Sequence, residues 1–102
     1  MQHLRCYQLA VQFYRQAKGV KLPKHLNDQL MRAATSVALN LSEGTGKRTC
    51  KDRGRFFQIA LGSVRECQAV VDLEPEKFTT ATKQTLDRLG ASVYLLLRNS
   101  GL

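Results

Sequence analysis

Four stretches of this sequence place apolar residues every three to four positions, and only two prolines, Pro23 and Pro75, interrupt them. That spacing is the signature of an α-helix with one buried face. The first stretch runs from about Gln2 to Gly19. Leu4, Tyr7, Val11 and Tyr14 form one stripe on it, and Cys6, Ala10, Phe13 and Ala17 form a second beside it. Gly19 ends this helix and Lys21-Leu22-Pro23 makes the turn. A second helix is predicted from about Lys24 to Gly44, with Leu26, Leu30, Ala33, Val37 and Leu41 in line. The third starts near Thr49, whose hydroxyl can cap it, with Asp52 three residues on. It continues through Phe56, Ile59, Ala60, Ser63, Cys67 and Val70 to about Asp72. Pro75 and Glu76 suit the first turn of a fourth helix, which carries Leu86, Leu89, Val93, Leu96 and Leu97 and ends by Asn99. No Asn-Gly or Asp-Gly hairpin signal occurs, and no segment alternates long enough to be a strand.

Helices joined by short loops are expected to lie antiparallel to their neighbours. The fold class is therefore all-α: a single domain over residues 1–102, built as an up-down-up-down antiparallel four-helix bundle. The apolar pattern exceeds what a monomeric bundle needs. The first helix has two stripes, Phe57, Leu61 and Val64 lie off the main stripe of the third, and Leu95-Leu96-Leu97 wraps the fourth. The surplus predicts a homo-oligomer, the alternative being a wide stripe buried within one chain.

Charge is distributed unevenly. The formal net charge is +8, from 16 Lys+Arg and 8 Asp+Glu. Residues 1–55 hold 11 of the basic and 3 of the acidic residues, while residues 56–102 hold five of each. In the predicted bundle, the turn between the second and third helices shares an end with the start of the first and the finish of the fourth. That end collects Arg5, Lys47, Arg48, Lys51, Arg53, Arg55 and Arg98 against Glu43 and Asp52. The opposite end nearly cancels, with Lys18, Lys21 and Lys24 against Asp72, Glu74 and Glu76. A strongly basic end attracts polyanions, above all nucleic acid. The run from Lys47 to Arg55 is the densest part, and it leads into a helix N-terminus whose free amides favour phosphate. The competing reading is a solvated loop, with Glu43 available to pair with Arg53 or Arg55. Few aromatics accompany the basic run, so contacts to phosphate outweigh base stacking.

Catalytic and metal chemistry find little support. His3 and His25 are expected at opposite bundle ends with no carboxylate cluster, which argues against a metal site. Gly44-Thr45-Gly46 is too short for a dinucleotide loop and follows no strand. Cys50 stands among basic residues but has no histidine base near it. Ser36, Asn40, Ser42 and Ser63 read as polar groups hydrogen-bonded within the bundle. Arg32 and Glu66 are equally distant from the turn and are expected to form a salt bridge between helices. No enzyme activity, cofactor or metal is expected. The three cysteines have no paired spacing, no apolar run reaches the ~20 residues of a membrane span, and no signal-peptide block precedes the first helix. These features point to a cytoplasmic protein with reduced thiols that does not enter the membrane.

Two blocks carry a resemblance. One is Gln29-Leu30-Met31-Arg32-Ala33-Ala34-Thr35-Ser36-Val37-Ala38-Leu39-Asn40-Leu41-Ser42-Glu43-Gly44. The other is Phe56-Phe57-Gln58-Ile59-Ala60-Leu61-Gly62-Ser63-Val64-Arg65-Glu66. In order and separation they resemble the four-helix-bundle proteins encoded in intervening sequences of bacterial 23S rRNA genes, although Met31 stands where that family has the first of two arginines. The family is similar to an accessory protein of diversity-generating retroelements. The resemblance implies a homopentameric barrel. By analogy with the accessory protein it also implies binding to nucleic acid and to a reverse transcriptase. It further implies that Ala33, Ser36, Ala60, Gly62 and Ser63 are close contacts between the second and third helices, with Gly62 facing another backbone.

The sequence therefore leads to two functional readings. The first is a non-enzymatic, oligomeric RNA- or DNA-binding protein that uses its basic end. The alternative is a protein-interaction scaffold or adaptor, for example for a reverse transcriptase or a defence system. Salt separates them, because a backbone binder loses affinity steeply as salt rises and an apolar scaffold does not.

Overall fold

The structure, a computed structural model, describes residues 2–100. Among these the chain is all-helical. Helix α1 spans Gln2–Lys18, α2 spans Lys24–Thr45, α3 spans Cys50–Leu73 and α4 spans Thr80–Asn99. The four form a bundle about 40 Å long. Helix α1 packs against α2 and α4, and α3 packs against α2 and α4, so each helix has two neighbours. The α2–α3 contact is the most extensive.

Local chemistry explains most of the helix ends. Thr49 caps α3 by accepting a hydrogen bond from the Asp52 N–H at 3.1 Å. Pro23 precedes α2, and its carbonyl accepts from the N–H groups of Leu26 and Asn27. The fourth helix begins later than Pro75 suggests. Pro75–Lys77 forms a separate 3-10 turn, and Phe78 is buried behind it. Helix α4 then starts at Thr80, where the Thr79 hydroxyl accepts from the Thr82 N–H at 3.1 Å. A capping threonine with its own side-chain bond sets the boundary, and the proline closes the preceding turn.

One continuous apolar core runs through the bundle. Cys6, Ala10, Phe13 and Ala17 line it from α1, and Leu30, Ala33, Val37 and Leu41 from α2. Leu86, Leu89, Val93 and Leu96 line it from α4. On α3 the inward face is Gly54, Phe57, Ala60, Ser63, Val64, Cys67, Val70 and Val71, so Ala60, Ser63, Cys67 and Val70 point inward as expected. It is shifted part-way round the helix from the expected one, with Phe57 and Val64 buried while Phe56 is half-buried and Ile59 is 48% exposed. The cause lies at Gly44. A Cβ added there would sit 2.6 Å from Cε1 of Phe57, and Phe57 itself is only 3% exposed. The ring thus occupies the notch that the missing side chain leaves.

The same rotation overturns the expectation for Gly62. It faces open space on the exposed side of α3, with nothing within 4 Å of an added Cβ. The close approach between α2 and α3 is made instead by Gly44, Ala33, Ala60 and Ser63. Ser63 donates to the Ser36 hydroxyl at 2.8 Å, and Asn40 donates to the Ser36 carbonyl at 2.8 Å. The expected Arg32–Glu66 salt bridge does not form. Glu66 accepts from the Gln29 amide. Gln29 lies on the seam with Ser36 and Asn40, whereas Arg32 is turned roughly 60° away from Gln29 around the helix and is exposed. Arg32 instead adds to the field on Asp28, whose carboxyl is held below its ordinary value mainly by Lys24 at 2.8 Å.

The other stripe of α1, running from Leu4 through Tyr7 to Val11 and Tyr14, stays partly or largely at the surface. Leu4 is 51% and Tyr7 39% exposed, and Leu39 on α2 is 61% exposed. Between them Val11, Tyr14, Thr35 and Ala38 line a shallow groove.

The two glycines give opposite predictions. Gly44→Ala drives a methyl against the Phe57 ring and should lower stability by ~1–3 kcal/mol. Gly62→Ala meets no neighbour and should raise stability by ~0.5–1 kcal/mol through helix propensity. Denaturant melts of the two variants beside the parent measure both. Equal effects would mean that α3 is rotated differently.

Candidate nucleic-acid interface

The basic run from Lys47 to Arg55 closes α2, makes the turn and opens α3. At the end of α2 the Gly46 N–H donates to the Glu43 carbonyl at 3.2 Å, and the Lys47 N–H donates to the Gly44 carbonyl at 3.1 Å. Arg53 then ties the turn from behind. Its Nη1 donates to the carbonyls of Lys47 at 3.0 Å and Arg48 at 3.2 Å, and its Nη2 donates to Cys50 Sγ at 3.2 Å. Arg53 is thus a half-buried fastener rather than a solvated charge. Its position follows from the helix: it lies four residues before Phe57, on the same face, and Phe57 is packed on Gly44.

The acidic residues of this region pair locally. Glu43 lies 3.7 Å from Lys47, and Asp52 lies 4.0 Å from Arg55. Glu43 therefore pairs with neither Arg53 nor Arg55. Lys47 also stands 5.1 Å from the centre of the Phe56 ring, a cation–π contact. Arg5, Arg48, Lys51 and Arg98 are exposed, and among the described residues none has a carboxylate within 4.0 Å.

The helix ends around this turn lie together. Asn99 near the end of α4 donates its amide to the Gln2 side chain at the start of α1, at 3.2 Å. A pocket of about 310 Å³ draws on all four helices, with His3, Thr45, Arg53 and Asn99 at its wall and Phe57 and Leu96 beneath. His3, Thr45 and Asn99 are absent from the candidates that the sequence suggests for this interface. Each is an unremarkable residue in its own segment, and only the meeting of four helix ends joins them.

Three thiols have distinct settings. Cys6 and Cys67 are buried and Cys50 is exposed. Burial pushes the Cys67 thiol up to about 12, and burial likewise raises Cys6. Among the described residues no three His, Cys, Asp or Glu side chains gather where a metal could bind, and no helix is long and apolar enough to cross a membrane.

A thiol-reactive dye should accordingly modify Cys50 alone in the native protein and all three cysteines after denaturation. The raised value of Cys67 carries a sign. The unfolded thiol ionises near pH 9 whereas the folded one does not, so the burial contributes its full stability below that pH. Stability should decline as pH rises from about 9 towards 12. Cys67→Ala should flatten that decline in alkaline melts.

The family model for 23S rRNA-intervening sequence proteins matches residues 2–94 of this chain. That span includes both sequence blocks, the basic turn and most of α4, and the chain belongs to that family. No curated protein matches it.

Proposed function

We propose that this member of the 23S rRNA-intervening sequence protein family is a non-enzymatic, oligomeric nucleic-acid-binding protein of the cytoplasm, gripping RNA or DNA backbones through the basic face around the α2–α3 turn. One observation carries the reading. Among the described residues, four exposed cations, Arg5, Arg48, Lys51 and Arg98, have no carboxylate within 4.0 Å, while Glu43 and Asp52 are already engaged by Lys47 and Arg55. Uncompensated arginine and lysine on one surface form a footprint for phosphate, and a neighbouring helix N-terminus adds to it.

The bundle order in this reading is up-down-up-down. It is supported by the Asn99–Gln2 contact and by partner residues whose numbers fall along α3 as they rise along α2: Gln29 with Glu66, Ser36 with Ser63, Gly44 with Phe57. The oligomer is supported by the exposed apolar face of α1 and α2, where Leu4, Tyr7 and Leu39 border the groove of Val11 and Tyr14. Side-by-side packing with parallel axes would gather the basic ends into one face, and a pentamer is the assembly we assign. The same apolar face also favours the second reading, a scaffold or adaptor for a partner protein. The two differ in what salt does to binding.

The charge test spares Arg53, which holds the turn. Replacing Lys47, Arg48, Lys51 and Arg55 by Gln should weaken binding to every RNA and DNA sequence alike. The slope of log affinity against log salt should fall by ~0.7 to ~0.9 for each phosphate that the variant no longer neutralises. Fluorescence anisotropy over a salt series measures it. A variant that binds like the parent at equal salt would leave the turn as a solvated surface and give the scaffold the lead.

For assembly, light scattering coupled to size exclusion should give a mass of about five times the 11.5 kDa protomer. Leu4→Glu with Leu39→Glu should shift it towards the protomer without loss of helical circular dichroism, because both residues lie outside the core. A parent that runs as an 11.5 kDa monomer at micromolar concentration would refute the oligomer.

A further inference from the structure

The pocket at the meeting of the four helix ends has a chemistry of its own. Its volume of about 310 Å³ sits at the lower bound of small-ligand sites. Phe57, 3% exposed, and Leu96, 8% exposed, give it an apolar base. Its polar lining comes from His3, Thr45, Arg53, Asn99 and Ser100, and among the described residues no carboxylate lines it. Three bonds to the turn use part of the Arg53 guanidinium, which leaves two of its five N–H groups without a partner. His3 carries a ring N–H in either tautomer, whereas the Thr45 hydroxyl donates to the Ser42 carbonyl at 3.0 Å and shapes the wall. Asn99 is held in place by its bond to Gln2. The lining therefore offers the two spare N–H groups of a guanidinium held in position and the ring N–H of His3, with no acid among the described residues.

We infer that this pocket binds the terminal phosphomonoester of a nucleic-acid strand. An anion suits it because the held guanidinium keeps two N–H groups to offer and, among the described residues, no carboxylate lines the pocket. A phosphate group suits it because planar guanidinium N–H groups match phosphate oxygens, and neutral donors around it can satisfy the others. A monoester presents three oxygens that are not esterified onward, whereas a diester inside a chain presents two. A guanidinium with spare N–H groups beside an imidazole N–H favours the former, which carries more charge and more free oxygens. The apolar base accepts the attached sugar or base without demanding a sequence. His3 and Thr45 also form one side of a second, smaller depression lined by Leu4, Tyr7 and Ser42, so the wall of the pocket continues onto the outer surface of α1 and α2. This inference rests on the basic-face reading, because Arg48, Lys51 and the other exposed cations would draw the strand in. It adds that the strand is held by its end.

Two measurements on the full chain test it. The first uses a single-stranded oligonucleotide with an internal fluorophore, carrying a 5′-phosphate, a 3′-phosphate or hydroxyl at both ends. The parent should bind at least one phosphate-ended strand roughly tenfold more tightly than the hydroxyl-ended strand, the worth of one charge-assisted hydrogen bond. His3→Ala with Thr45→Ala should abolish that preference. The variant with Lys47, Arg48, Lys51 and Arg55 replaced by Gln should weaken all strands and keep it. Equal binding of all three strands by the parent overturns the inference while leaving the basic face intact, and so does a preference that survives His3→Ala with Thr45→Ala. The second measurement uses adenosine monophosphate and inorganic phosphate, followed by the imidazole resonances of the two histidines. The mononucleotide should move His3 and leave His25 unmoved. If no strand binds the parent, the basic-face reading fails and, with it, the strand as ligand. A shift of His3 by mononucleotide with equal binding of phosphate-ended and hydroxyl-ended strands would assign the pocket to free nucleotides and overturn the assignment to strand ends.

Discussion

The contact between Gly44 and the Phe57 ring governs the end of the molecule where the candidate interface lies. A side chain at residue 44 would collide with the ring, so the glycine lets α3 come close to the last turn of α2. The ring closes the core at that end and forms the base of the pocket. It also sets the rotation of α3, and that rotation directs Arg53, four residues earlier, at the carbonyls of Lys47 and Arg48. A turn whose carbonyls are satisfied by a side chain needs no help from water to hold its shape. The basic turn is thus a consequence of core packing, and its cations are displayed from a fixed frame.

Much of this fold is legible in the sequence, and the misses have related causes. The first three helices begin and end where glycine, proline and Thr49 say they should, because capping is local chemistry. The fourth starts later than expected, since Pro75 is as good a signal for a 3-10 turn as for a helix start, and the deciding bond belongs to Thr79. Rotation about a helix axis is harder to read. Helix α3 is apolar on adjacent faces, so the Phe56–Ile59 stripe and the Phe57–Val64 stripe look alike until a partner is known. The resemblance places Gly62 against another backbone; the structure buries Phe57, Ala60 and Val64 and turns Gly62 outward. The Arg32–Glu66 pairing fails for the same kind of reason, with α2 presenting Gln29 to the seam.

The charges divide between what is local and what is not. That Lys47 to Arg55 form a basic cluster needs no structure, because they are close in sequence. That Glu43 and Asp52 are spent on Lys47 and Arg55, and that Arg53 turns inward, depends on side-chain geometry that composition does not contain. The pocket is invisible in the sequence for a further reason. His3, Thr45 and Asn99 belong to three helices, and no spacing rule connects them.

The distribution of charge also bears on how far the basic face can act. Exposed ion pairs such as Glu43–Lys47 and Asp52–Arg55 are worth ~0–1 kcal/mol. A phosphate that offers two or three oxygens competes with either carboxylate on favourable terms, so both pairs hold their cations in place without locking them away. At physiological salt, charges more than ~8 Å apart in solvent are largely screened from one another. Lys51 to Arg55 rise only ~6 Å along α3, so they act on a ligand together. The bundle is about 40 Å long, several screening lengths. Asp72, Glu74 and Glu76, at the far end of α3 from the turn, therefore do little to oppose the basic face, and the balanced second half of the sequence does not dilute it. What a polyanion meets is the local excess around the turn, not the average charge of the chain.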